Sequence, residues 1–192
     1  MPKVSEEHLA ARRRQILDAA LVCFSRSGFH QTSMQQIFEE SGLSPGAVYR
    51  YFTGKEEIVQ AIAAETLGGF AAALEAGPPT RPAPMFERLL DIIDEVDRRD
   101  QRLRLALQVW GEAMVNPRVA GFVRQAIDGL RKRIAAELDC PDPDATARVL
   151  VARAQGLVVQ RDLYGDEFDP GEFRAAALAL LSQPAGLSRQ EG

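Results

Sequence analysis

Ser44, Gly46, Ala47, Tyr49, Arg50, Tyr51 and Lys55 fall within one short stretch, SPGAVYRYFTGK. Their chemistry is noncovalent recognition. Cations and hydroxyls bond phosphate oxygens and base edges in duplex DNA. Small residues let a backbone approach a surface closely. Ser44 is competent to cap a helix, and Pro45 sits at its first position, where a missing N–H costs nothing. The exposed first turn of that helix is expected to point Ser44, Gly46 and Ala47 at bases or phosphates. Tyr49, Arg50, Tyr51 and Lys55 are expected to reach the same surface. Thr32 and Ser33, at the head of the preceding helix, are expected to join them.

The elements that must position these groups are two short helices joined by a glycine turn. With Ser33 as cap, Gln36 falls three residues on, completing a Ser-x-x-Gln capping box. Ile37 points to the core, flanked by Met34 and Phe38. The helix stops near Ser41, and Gly42 suits a left-handed helix end. Leu43 anchors the turn. Val48 and Phe52 return the second helix to the core. The order predicts a helix-turn-helix over 33–52, whose second helix lies in the major groove. A helical protein-protein adaptor, using the same motif for protein contacts, is the alternative.

A first helix supports the motif. Ile16, Ala20, Cys23 and Phe24 recur at helical spacing, widened by Leu17 and Leu21. Arg12, Arg13 and Arg14 at its start suit either the DNA backbone or a solvated face. Residues 1–60 hold seven cations (Lys3, Arg12, Arg13, Arg14, Arg26, Arg50, Lys55) against seven acids (Glu6, Glu7, Asp18, Glu39, Glu40, Glu56, Glu57). Attraction to phosphate must therefore come from local placement rather than bulk charge.

Beyond Lys55 the periodicity predicts helix almost throughout. One helix runs from Glu56 to about Glu75. A Pro/Gly break, AGPPTRPAP, ends at Pro84. The next helix carries Phe86, Leu89, Leu90, Ile93 and Val96. Another, over about Gln101–Val115, carries Leu103, Ala106, Leu107, Trp110 and Met114. Further helices run from Arg118 to Leu138, from Asp144 to about Leu163, and from Gly171 to Ser182. No strand alternation stands out, so the fold is expected to be all-α.

From Arg12 to about Glu65 the chain resembles TetR-type (TetR/AcrR) transcriptional regulators. The resemblance rests on RRRQILDAALVCFSRSGFHQTSM and on Ile37, Gly42, Ser44, Gly46, Tyr49, Phe52 and Lys55. Phe38, Ser41 and Tyr51 depart from that pattern, where Ala, Ala and His are common. The resemblance implies an N-terminal three-helix helix-turn-helix domain, 10–55. A larger helical ligand-binding and dimerisation domain, 56–182, would follow, with a flexible tail at 183–192. It implies a homodimeric repressor, released from operator DNA by a small apolar or amphipathic effector.

The later helices offer surfaces for both jobs. The helix at 149–163 is apolar or small on most faces, which demands partners on several sides. The last helix shows Phe173, Ala176, Ala177, Leu180 and Leu181 on one face. Taken alone, both could be intrachain core. The resemblance favours a dimer interface containing Leu157, Val158, Phe173, Ala176, Ala177 and Leu180. Phe70, Met85, Phe86, Leu89, Trp110, Met114 and Phe122 are candidates for an apolar ligand pocket or for plain core. Gln108, Glu112 and Arg104 could supply it a polar contact or face water.

The whole chain has 192 residues, net charge −4 and 46% hydrophobic residues, ample for a buried core. Cys23 and Cys140 lie far apart, which argues against a structural disulfide and fits a reducing cytoplasm. The first residues lack the apolar core of a signal peptide, and no apolar run is read as long enough to span a bilayer. No catalytic, metal or cofactor site is expected. The two histidines, His8 and His30, stand in no nucleophile or metal arrangement, and no P-loop or dinucleotide glycine pattern occurs. Asp91, Asp94 and Glu95 read as a charged helix face.

Overall fold

A computed structural model describes residues 6–74, 79–100 and 102–182. Its helices are α1 (Glu6–Gln31), α2 (Met34–Ser41), α3 (Pro45–Tyr49), α4 (Lys55–Leu74), α5 (Pro82–Asp100), α6 (Arg102–Ala113), α7 (Pro117–Ala136), α8 (Pro143–Tyr164) and α9 (Pro170–Ser182). A single 3₁₀ turn, Gly165–Glu167, separates the last two. Among the described residues the only extended pairing is one bridge, Thr80 to Leu138. The fold is all-α. The expected tail at 183–192 lies outside the described residues, as do Glu75 and the first part of the Pro/Gly break.

Several helices open on proline one residue or more before the sequence places them. α5 starts at Pro82 rather than after Pro84, since proline is tolerated throughout a first turn, where no N–H has an intrahelical partner. α7 opens at Pro117, and Asn116 caps it by accepting from Arg118 N–H at 3.1 Å.

The chain divides into two compact units. One runs through Phe70 and takes in Glu95–Asp128; the other holds Ala71–Asp94 and continues from Gly129. α6 and part of α7 share a core with the first four helices. That core contains Ile16, Leu17, Ala20, Cys23 and Phe24 of α1, Ile37 and Phe38 of α2, and Val48 of α3. Phe52, Ile58, Val59 and Ile62 join it, as do Leu105, Val109 and Val119. The apolar stripe expected on α6 is displaced: Leu105 and Val109 are buried, whereas Leu103, Ala106, Leu107 and Trp110 are half-buried. A short helix that is apolar on two faces does not reveal by periodicity which face the core takes.

α4 overturns one exclusion. Its 20 residues are long and apolar enough to cross a membrane by length and composition. Its first half packs into the core. Ile58, Val59 and Ile62 are buried against α1, and Glu65, midway along, accepts from Arg13 at 2.8 Å and Arg14 at 3.3 Å.

The second unit is built on Met85, Phe86, Leu89, Leu90 and Ile93 of α5 with Leu150, Val151, Leu157 and Val158 of α8. Asp94 ties three helices together. It accepts from Arg161 on α8 and, at 2.9 Å, from Arg174 on α9, whose second nitrogen reaches Asp91 at 2.8 Å. The Thr80 bridge is closed by Thr80 N–H donating to Glu137 at 2.8 Å and Asp139 N–H donating to Thr80 at 2.9 Å.

Candidate nucleic-acid interface

The helix-turn-helix is set by local hydrogen bonds. Ser33 Oγ accepts from Gln36 N–H at 3.3 Å, and Gln36 Oε1 accepts from Ser33 N–H at 2.8 Å, the reciprocal pair of a capping box. α2 ends at Gly42 with φ +65°, a conformation that glycine adopts without Cβ strain. Gln15 of α1 donates to the carbonyl of Ser41 at 2.6 Å, pinning that end. Ser44 Oγ then accepts from Ala47 N–H at 3.3 Å, opening α3.

This scaffold presents one row of groups outward. Ser44, Pro45, Gly46, Tyr49 and Arg50 are exposed, Ala47 and Tyr51 half-buried, and Val48 and Phe52 buried beneath them. Tyr49, 51% exposed, rests edge-on against Phe38 with ring centroids 5.4 Å apart, so its hydroxyl projects from a fixed ring. A Cβ added at Gly46 meets nothing within 4 Å. The intrachain packing therefore does not require glycine there. The Arg50 side chain forms no hydrogen bond or ion pair among the described residues, its backbone N–H donating to Val48.

Two expected members are committed elsewhere. Thr32 is 2% exposed, and its hydroxyl donates to the carbonyl of Gly28 at 2.7 Å. It locks α1 to α2 and offers nothing to the surface. Lys55 Nζ donates to three carbonyls, Phe29 at 3.0 Å, His30 at 2.9 Å and Thr32 at 3.2 Å. A lysine ammonium has three hydrogens, so this arrangement makes Lys55 an anchor for the end of α1. The arginines of α1 are likewise engaged. Arg12 bonds Gln15 at 2.7 Å, Arg13 lies 5.5 Å over the Phe52 ring as well as on Glu65, and Arg14 bonds Asp18 at 3.0 Å.

α1 breaks at the Gly-Phe exit that the family resemblance implies. Gly28 has φ +79° and ψ 159°, which interrupts the helical ladder. Phe29 N–H, freed by the break, donates to Gln108 Oε1 on α6 at 2.8 Å. A buried donor left unmatched there costs about 1–3 kcal/mol. Gln108 thus satisfies α1 rather than a pocket. Glu112, one turn on, accepts from Asn116 at 3.1 Å and lies 3.5 Å from His30 Nδ1. The SGF sequence was the available signal, since glycine before a buried aromatic marks a helix exit. Nearby, burial first and the Glu40 charge second push the Cys23 thiol up, leaving it an inert core group.

The remaining candidates divide. Met85, Phe86 and Leu89 are buried in one unit; Phe70, buried, and Trp110 and Phe122, half-buried, belong to the other. Met114 is 85% exposed, because α6 stops at Ala113 and the next residue leaves the helical stripe. Leu157, 2% exposed, Val158 and Ala177 are buried within the single chain. The outward apolar residues are Val149, Val159, Leu163 and Tyr164 of α8 and Leu180 of α9, beside exposed Ala176 and half-buried Phe173.

Residues 16–62 match the sequence model of bacterial regulatory proteins of the tetR family, and residues 85–184 match that of the C-terminal part of BetI-type transcriptional repressors. The HTH-type transcriptional repressor Rv1474c of Mycobacterium tuberculosis is 44% identical over 72 residues, which span only 38% of this chain and 38% of that protein. The HTH-type transcriptional regulator BetI of Cronobacter sakazakii is 28% identical over 195 residues, covering 95% of this chain and 94% of its own. Among solved structures, Salmonella enterica GusR superposes with a TM-score of 0.74 at 26% identity, covering 94% of this chain and 97% of its own. The Bacillus subtilis regulator FadR, in complex with stearoyl-CoA, shares the fold with a TM-score of 0.73 at 18% identity, over 88% and 96% of the two chains.

Proposed function

Because this chain belongs to the TetR family of bacterial regulatory proteins, we propose that it is a homodimeric repressor that reads operator DNA through α3. The observation that carries the reading is the exposed row Ser44, Pro45, Gly46, Tyr49 and Arg50. It stands on a helix whose start is fixed by the Ser44 cap and whose underside is fixed by Val48 and Phe52. Arg50 is the cation of the motif, and its side chain has no intrachain bond among the described residues. It is the natural reader of a guanine edge or a phosphate, and Tyr49 the natural phosphate donor. Gly46, with open space around it, admits a close approach of the α3 backbone to the groove.

The dimer is supported by the outward apolar residues of α8 and α9. Val149, Val159, Leu163, Tyr164 and Leu180 are all exposed in the single chain. Two copies packed through these helices form a four-helix contact. They would present two α3 helices to half-sites about 34–36 Å apart. Release by an effector follows if a small apolar or amphipathic molecule has higher affinity for a form in which that spacing is wrong. The fold shared with a regulator that holds stearoyl-CoA supports this half of the reading. Met85, Phe86 and Leu89, which share one unit, remain its candidate lining.

The test is selection from a random duplex pool by the full chain. The reading expects enrichment of a two-fold-related sequence. Enrichment of none, with a protein partner recovered instead, would favour the adaptor role.

A further inference from the structure

We propose that Gln108 is a positioning residue for DNA reading: its side chain holds the turn from which the helix-turn-helix hangs. The inference rests on the DNA-binding reading above. Its physical basis is the break at Gly28, where φ is +79° and the helical ladder stops. The turn Phe29–Thr32 that follows leads directly to Ser33, the cap of α2. Two helices hold this turn from two directions. From α4, Lys55 Nζ takes the carbonyls of Phe29, His30 and Thr32. From α6, Gln108 Oε1 takes the Phe29 N–H at 2.8 Å.

Lys55 binds acceptors and Gln108 binds a donor, so neither replaces the other. The contact is not an isolated one. Glu112 stands one helical turn from Gln108 on the same face of α6 and lies 3.5 Å from His30. Leu105 and Val109 of α6 enter the core shared with α1. The α6 backbone is thereby registered to the residue that precedes α2. The direction in which α2 and α3 leave α1 is fixed by this pair of anchors.

The experiment compares Gln108→Met and Gln108→Glu with the parent full chain. Methionine keeps length and shape but removes the strong acceptor; glutamate keeps an acceptor oxygen. Amide exchange is followed at Phe29 to Ser33, alongside melting temperature and binding to a duplex selected by the parent chain. The proposal expects Gln108→Met to speed exchange at Phe29 and to weaken DNA binding by about tenfold. It expects no change in the salt dependence, because phosphate contacts are unaltered, and a melting temperature lowered only as far as one unmatched amide accounts for. Gln108→Glu should restore both exchange protection and affinity. A general structural role would lower the melting temperature of Gln108→Met without rescue by glutamate, and would overturn the proposal. Faster exchange with parental DNA affinity would overturn it too. A parent chain that selects no duplex would instead sink the DNA-binding reading, and this role with it.

Discussion

Lys55 donates to the carbonyl of Phe29 at 3.0 Å and places its ammonium 4.8 Å above the centroid of the same residue's ring. Aromatic face and carbonyl thus share one cation, which also reaches His30 and Thr32. A lysine so placed stabilises the end of α1, where carbonyls lack helical partners. Lys55→Met is expected to destabilise the chain by about 1–3 kcal/mol, seen as a lower melting temperature. It is also expected to weaken DNA binding without changing the slope of affinity against salt. If Lys55 met a phosphate directly, that slope would fall by about one.

Arg50 should behave in the opposite way. Its side chain is exposed and unbonded among the described residues, so Arg50→Ala should leave the melting temperature unchanged. Its loss should cost about 1–3 kcal/mol of binding free energy and relax preference at one base pair, if Arg50 reads a base edge. Competition against single-base variants of the selected duplex measures this. Parental affinity for every variant would remove Arg50 from the interface.

An outward residue of α9 and a buried residue of α8 predict two different phenotypes. Leu180 is 59% exposed and Leu157 2% exposed in the single chain. Leu180→Arg should yield a folded monomer by sedimentation, since it places a charge in the proposed interface. Leu157→Ala should instead unfold the chain more easily, by about 2–5 kcal/mol, as buried leucines do. A dimeric Leu180→Arg would relocate the interface.

Glu57 supplies a pH signature. Its Oε2 accepts from Thr53 N–H at 2.7 Å and from Thr53 Oγ1 at 2.8 Å. These bonds, the backbone one first, hold the Glu57 carboxyl below its ordinary value of 4.5. A depressed carboxyl adds stability above its unfolded pKa and loses it as pH falls through the folded one. Glu57→Gln should therefore melt slightly below the parent at about pH 7, with the gap closing toward about pH 3. The group is exposed, so the effect is small. A gap that widens in acid would contradict the assignment.

What the sequence made legible was whatever depends on near neighbours. The Ser33–Gln36 box, the Gly42 helix end and the Ser44 cap are bonds between residues at most four apart, and each stands where spacing places it. Residues whose role depends on distant packing were not legible. Thr32 had the type of a surface hydroxyl, but the turn of α1 carries it inward to Gly28. Gln108 had the type of a pocket group, but its partner, the Phe29 N–H 79 residues earlier, is free only because Gly28 breaks the helix. Leu157 and Val158 lie on a helix apolar nearly all round, where periodicity does not say which side the same chain covers. The family resemblance was legible from the motif alone, and it extends further along the chain than the residues that first carried it.

The central claim is that α3 reads a specific duplex. Its most direct test is an anisotropy competition between the duplex selected by the full chain and a scrambled duplex of the same length, over a salt series. The account predicts a preference of about 10³-fold or more, with affinity falling steeply as salt rises. Equal affinity for the two duplexes at every salt concentration would contradict it.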